Sequence, residues 1–110
     1  MAVTSTVLLA AKQAENSQTT QYTASNVTAI IDKCTIHNGS GGAVTFGANV
    51  VTSGGSASAS NLLLNRSIAA GQTYSCPEIV GQILNDGDFL STIAGTASAL
   101  VIRVSGREIT

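Results

Sequence analysis

A chain of 110 residues has room for one domain with a modest core. Only 10% of its residues are charged and the net charge is −1, against about 25% charged in ordinary soluble proteins. Five basic residues scattered from Lys12 to Arg107 form no cluster for a run of phosphates, which argues against nucleic acid, and no apolar run approaches the roughly 20 residues that span a membrane.

The N-terminal segment "MAVTSTVLLAAKQAENSQ" lacks the basic start and long apolar stretch of a signal peptide. Residues 1–18 read as an extended arm or edge strand leading into a β-sandwich domain over residues 19–110. In "VTAIIDKCTIHN", alternation puts Ile30, Cys34 and Ile36 on one face and Lys33, Thr35 and His37 on the other. Asp32 interrupts the buried face, so a bulge or strand end is expected there. Asn38-Gly39, between Ile36 and Val44, predicts a hairpin connection. "AVTFGANVV" alternates Val44, Phe46, Ala48 and Val50 with Thr45, Gly47 and Asn49, a half-buried strand. After the turn-forming "TSGGSASAS", the segment "SNLLLNRSI" sets Leu62, Leu64 and Ile68 against Leu63.

A return strand after Ala69-Ala70-Gly71 carries Tyr74 and Cys76 inward. "PEIVGQIL" then predicts one or two helical turns opened by Pro77, with Glu78 as a helix-start carboxylate, or else a compact apolar loop. Beyond the turn Asn85-Asp86-Gly87 lies a short strand in "GDFLSTIAG", and "SALVIRVSG" places Leu100, Ile102 and Val104 opposite Arg103 and Ser105. Strands recurring at about ten-residue spacing between Gly- and Asn-rich turns predict an all-β fold: a single antiparallel β-sandwich, Greek-key or jelly-roll-like, with one helical or loop corner near residues 77–84.

Candidate chemistry is sparse. A nucleophilic Cys76 would need a base and an electropositive pocket, and no motif links it to His37, the only histidine. One histidine and two separated cysteines do not make a metal site. Asn85-Asp86-Gly87-Asp88 begins like a calcium loop but lacks the following bidentate Glu, and a tight turn explains the same residues. The glycines form no phosphate-binding loop. No catalytic, cofactor-binding or metal-binding residue is expected, and no cofactor. Cys34 and Cys76 both fall on inward faces. They are read as free buried thiols, as an internal disulfide contributing roughly 4 kcal/mol in the chain-entropy model, or as a bond from one cysteine to a partner protein.

The segments "QYTASNVTAIIDKCTIHNGSGGAVTFGANVV", "SIAAGQTYSCPEIVGQILNDGDFLSTIAG" and "SALVIRVSGREIT" resemble a group of small virion structural proteins of tailed bacteriophages. The resemblance runs from about Thr20 to Thr110, and residues before Thr20 have no clear counterpart. It implies a non-enzymatic β-domain made in a host cytoplasm and built into the virion in many copies. Its partners would be copies of itself and other virion proteins, the major capsid protein or neck and tail proteins. A capsid decoration or linking protein that bridges neighbouring subunits is the expected role; a neck, collar or tail component is the alternative. A receptor- or glycan-binding module is disfavoured by the absence of Trp and the paucity of other aromatics.

Overall fold

The computed structural model describes residues 2–110, and among these there are nine strands and no helix. They are β1 (Val3–Gln13), β2 (Thr19–Thr23), β3 (Thr28–Asn38), β4 (Val44–Val51), β5 (Leu62–Ile68), β6 (Thr73–Tyr74), β7 (Ile83–Leu84), β8 (Phe89–Ala94) and β9 (Leu100–Ile109). Two antiparallel sheets form the sandwich. Sheet A runs β1-β9-β3-β6, with β7 also paired to β3, and sheet B runs β2-β8-β4-β5. β6 pairs with β3 at Ile36 and His37 while β7 pairs with it at Ala29 and Ile30, so the two form one interrupted edge strand. With that strand counted once, successive strands cross between the sheets at every connection except β4 to β5. This is the double Greek key of a jelly roll.

The inner faces carry the apolar set that alternation selects: Ile36 from β3, Phe46 from β4, Leu64 and Ile68 from β5, Leu90 from β8, and Leu100, Ile102 and Val104 from β9 are all buried. Each such side chain contributes roughly 1.5–3 kcal/mol of hydrophobic stabilisation. Register shifts explain where the alternation moves. Ile31 pairs with Gly106 and Lys33 with Ser105, so Asp32 is the extra residue of a bulge, as its place in the sequence predicts. The extra residue reverses parity, and Ala29 and Ile31 face the core in place of Ile30. Leu63 is likewise extra in β5, where Ala48 pairs with Leu64 and Asn49 with Leu62, and it turns Leu62 outward to 38% exposure. β4 is buried on both faces around Gly47 and Asn49, because residues 52–61 fold back over it; the Asn49 amide donates to the Ser58 carbonyl and to Asn61 Oδ1.

Asn38-Gly39 is not a hairpin. β3 lies in sheet A and β4 in sheet B, so the turn carries the chain across the sandwich. The fully buried Asn38 side chain organises this crossing. Its Nδ2 donates to the carbonyls of Gly42 and Ile68 at 2.9 Å each, and its Oδ1 accepts from the Ser40 amide and hydroxyl. Its backbone bonds to Gln72 and Gly71, which binds the β5–β6 crossing to the same point. Residues 77–84 form a loop corner, not a helix: Ile79 and Val80 both donate to the Cys76 carbonyl, and Gly81, at φ +89°, ends the turn. Ile79 and Leu84 are buried while Val80 and Ile83 are exposed.

β1 is the outer strand of sheet A and joins β9 with register shifts after Val7 and Leu9. Gly106 therefore sits in β9 between a bulged β1 and a bulged β3, where a Cβ would overlap the Ile30 carbonyl oxygen and press on Leu8. Gly106→Ala is expected to destabilise the fold by about 3 kcal/mol or more through forced separation of β3 and β9. Asn38→Ala leaves the buried Ile68 carbonyl without this donor and should cost roughly 3 kcal/mol. Urea unfolding followed by circular dichroism measures both; a loss within about 0.5 kcal/mol, typical of neutral surface changes, would contradict either account.

Candidate functional site

Cys34 projects inward from β3 and Cys76 sits in the loop that interrupts the β6–β7 edge; both are fully buried free thiols. Cys76 has φ +50°, a left-handed conformation uncommon for a side-chain-bearing residue. This turns the chain inward ahead of Pro77 and brings the Cys76 thiol beside that of Cys34, with Cys76 Sγ donating to the Tyr74 carbonyl at 3.8 Å. The Cys34 contact and burial together push the Cys76 thiol far above its ordinary range. The nucleophile is the thiolate, so at neutral pH Cys76 is an inert packed thiol. His37 faces the opposite side of sheet A, exposed, with Nδ1 2.9 Å from Thr73 Oγ1. The sheet itself separates the histidine from the thiols.

A polar cluster closes the edge beside this loop. Tyr74 Oη donates to the Glu78 carboxylate at 2.7 Å, and the Arg66 guanidinium lies 4.4 Å over the Tyr74 ring while donating to its oxygen. Arg66 belongs to β5 and Tyr74 to β6, so the cluster spans the two sheets. Burial and the Glu78 carboxylate raise the Tyr74 phenol. Glu78 is thus a hydrogen-bond acceptor for a tyrosine, in place of the helix-start role expected for it.

The outer face of sheet A carries a shallow groove of about 280 Å³ lined by Lys33, Thr35, His37, Val101, Arg103 and Ser105. Lys33 pairs with Ser105, Thr35 with Arg103 and His37 with Val101 across the β3–β9 register. Arg103 donates to Ser105 Oγ, and neither Lys33 nor Arg103 meets a carboxylate among the described residues. Two cations flanked by hydroxyls can receive a carboxylate or another oxyanion from a neighbour. Beside this groove, Arg107 holds Asp32 through two bonds of 2.9 and 2.8 Å, which fixes the bulge and lowers the Asp32 carboxyl.

Sheet B has a larger cleft of about 540 Å³ beneath residues 57–59, with Gly47, Leu62 and Ile93 as an apolar floor and Asn16, Gln18 and Asn65 on its rim. It contains no charged side chain. In the Asn85–Asp88 turn the carboxylates serve the backbone: Asp86 accepts from the Asn26 amide, and Asp88 from the amides of Ser53 and Asn85. Among the described residues no three His, Cys, Asp or Glu side chains gather at metal-binding distance.

Alternation alone placed Lys33, His37 and Arg103 outward, but strand adjacency, which merges them into one groove, is a long-range property. The Arg66–Tyr74–Glu78 cluster left only the four-residue spacing of Tyr74 and Glu78 across Pro77 as a signal. The buried thiols predict a specific reactivity. An aromatic disulfide reagent should leave both cysteines of the native chain unmodified and label both after denaturation. Rapid labelling of the native chain would show a solvent-accessible sulfur. Compared with known proteins, the chain matches no family model, no curated protein and no solved structure.

Proposed function

We propose that this chain is a non-enzymatic structural component of a tailed-bacteriophage particle, a capsid decoration or linking protein that stabilises the shell by bridging neighbouring subunits. The observation that carries the reading is where its few charges go. Lys12 pairs with Glu15, Arg107 with Asp32, Arg66 stacks on Tyr74 beside Glu78, Glu108 accepts from Tyr22, and Asp86 and Asp88 cap backbone amides. Satisfied within the molecule, these groups leave a surface of hydroxyls, amides and exposed apolar side chains such as Leu63, Ile83 and Val101. A nearly neutral surface of this kind favours association. The jelly roll is a recurrent fold of viral shells and of lectins; it is compatible with the reading without establishing it. The resemblance of the segments from Thr20 to Thr110 supplies the particle. In this role the Lys33–Arg103 groove is the charged contact to a neighbouring subunit.

Gradient-purified particles should contain the chain in stoichiometric amounts, and fractionation into shells and tails should leave it with the shells. Lys33→Glu combined with Arg103→Glu, both exposed and without a carboxylate partner among the described residues, should cut incorporation about tenfold, equivalent to about 1.4 kcal/mol, while the circular dichroism spectrum is unchanged. Absence from purified particles would overturn the proposal, and recovery with tails would move the role to the neck or tail.

A further inference from the structure

We infer that two copies of this chain associate by antiparallel pairing of their β1 edges about a two-fold axis through Ser5. β1 is hydrogen-bonded to β9 on one side, and among the described residues no strand pairs with its other side. An open edge is a template for another strand unless it is blunted by charge, proline or bulges. From Val3 to Val7 none of these devices is present. The register to β9 is regular from Val3↔Ile109 to Val7↔Ser105, and both irregularities follow Val7. The same five residues are exposed except for half-buried Thr6, so both faces of the segment are accessible as well as its edge.

The occupant follows from the sequence of the segment. Val3-Thr4-Ser5-Thr6-Val7 reads the same in both directions. In an antiparallel pair centred on Ser5, Val3 meets the other copy's Val7, Thr4 meets Thr6, and Ser5 meets its own counterpart. Every cross-strand pair is then like with like, valine on valine on the outer face of sheet A and threonine on threonine on the inner, combinations that stabilise neighbouring strands. A two-fold contact uses the same patch on both copies and closes after two. The bulges beyond Val7 confine regular pairing to this segment, which keeps the contact at the small, weak end of specific interfaces. The inference concerns the purified chain and does not depend on the particle assignment.

Cysteine substitution in the full-length chain tests the register, since Cys34 and Cys76 are buried and leave the introduced thiol as the exposed one. Under mild copper-catalysed air oxidation, Ser5→Cys should form a disulfide-linked dimer on a non-reducing gel. Val3→Cys alone should remain monomeric, because its two sulfurs would lie roughly 13 Å apart, four residues at about 3.3 Å each. Val3→Cys mixed with Val7→Cys should link. Sedimentation equilibrium of the unmodified chain should show a monomer–dimer transition that Ser5→Lys weakens at least tenfold, with an unchanged circular dichroism spectrum. Monomeric Ser5→Cys, self-linking of Val3→Cys at an equal rate, or a dimer insensitive to Ser5→Lys would each overturn the inference.

Discussion

The buried carboxamide of Asn38 is the contact on which the sandwich turns. A jelly roll must carry its chain from one sheet to the other repeatedly, and each crossing exposes backbone groups that neither sheet can satisfy. At one pole Asn38 joins two crossings: Nδ2 reaches Gly42 in the β3–β4 turn and Ile68 at the end of β5, while the backbone of Asn38 bonds to Gln72 and Gly71. An aliphatic side chain at this position would fill the space but take this donor from the buried Ile68 carbonyl in a low dielectric, where lost hydrogen bonds are costly. No buried side-chain nitrogen or oxygen among the described residues lacks a partner. The polar composition is therefore compatible with a dry core.

Sheet A depends on a second, steric constraint. β9 lies between two strands that are both irregular: β1 gains extra residues after Val7 and Leu9, and β3 gains Asp32. Gly106 lets β3 approach at the bulge, and the Arg107–Asp32 pair on the outer face holds the bulge in place. The exposed ion pair alone would contribute little. Its effect is to select one register among those a flat sheet would allow, because slippage by one residue would exchange the buried and exposed faces.

The strands and their faces were largely legible in the sequence. Alternation in Val44–Val50 and Leu100–Val104 identifies the core because side chains on a strand repeat every two residues, and Asp32 marks the bulge because a carboxylate cannot occupy an inner position unpaired. The direction of the parity change was not legible: whether Ile30 or Ile31 faces inward depends on which residue is extra in the pairing with β9. The Asn38-Gly39 turn departs from the expected hairpin for a related reason. The dipeptide encodes a reversal, whereas membership of the next strand in the same or the opposite sheet is decided by contacts distant in sequence, including Ile68. Of the candidate site, the inward positions of Cys34 and Cys76 were visible from parity. Their mutual contact was not, since it requires the left-handed backbone at Cys76 and a loop that interrupts an edge strand.

Scarcity of charge and closure of the fold are two aspects of one arrangement. A two-sheet sandwich has open flanks where neither sheet covers the other, and here polar groups close them. Tyr22 on β2 donates to Glu108 on β9, and burial and that carboxylate raise its phenol. Arg66 and Tyr74 close the β5–β6 flank. Where the chain crosses from β1 to β2, Lys12 and Gln21 hold the Glu15 carboxylate and lower its pKa to about 2, while the Glu15 carbonyl accepts from Ala94 at the end of β8. Each interaction bridges elements that would otherwise be joined only by apolar packing. Because those groups are committed to the flanks, the broad outer faces of both sheets are left to hydroxyls, amides, scattered valines and leucines, the Arg107–Asp32 pair, and Lys33 and Arg103, which meet no carboxylate among the described residues. A surface with so little electrostatic repulsion offers limited protection against self-association. The pairing specificity of its open edge must then come from strand register and local sequence symmetry, the properties that Val3–Val7 possesses and the bulged remainder of β1 lacks.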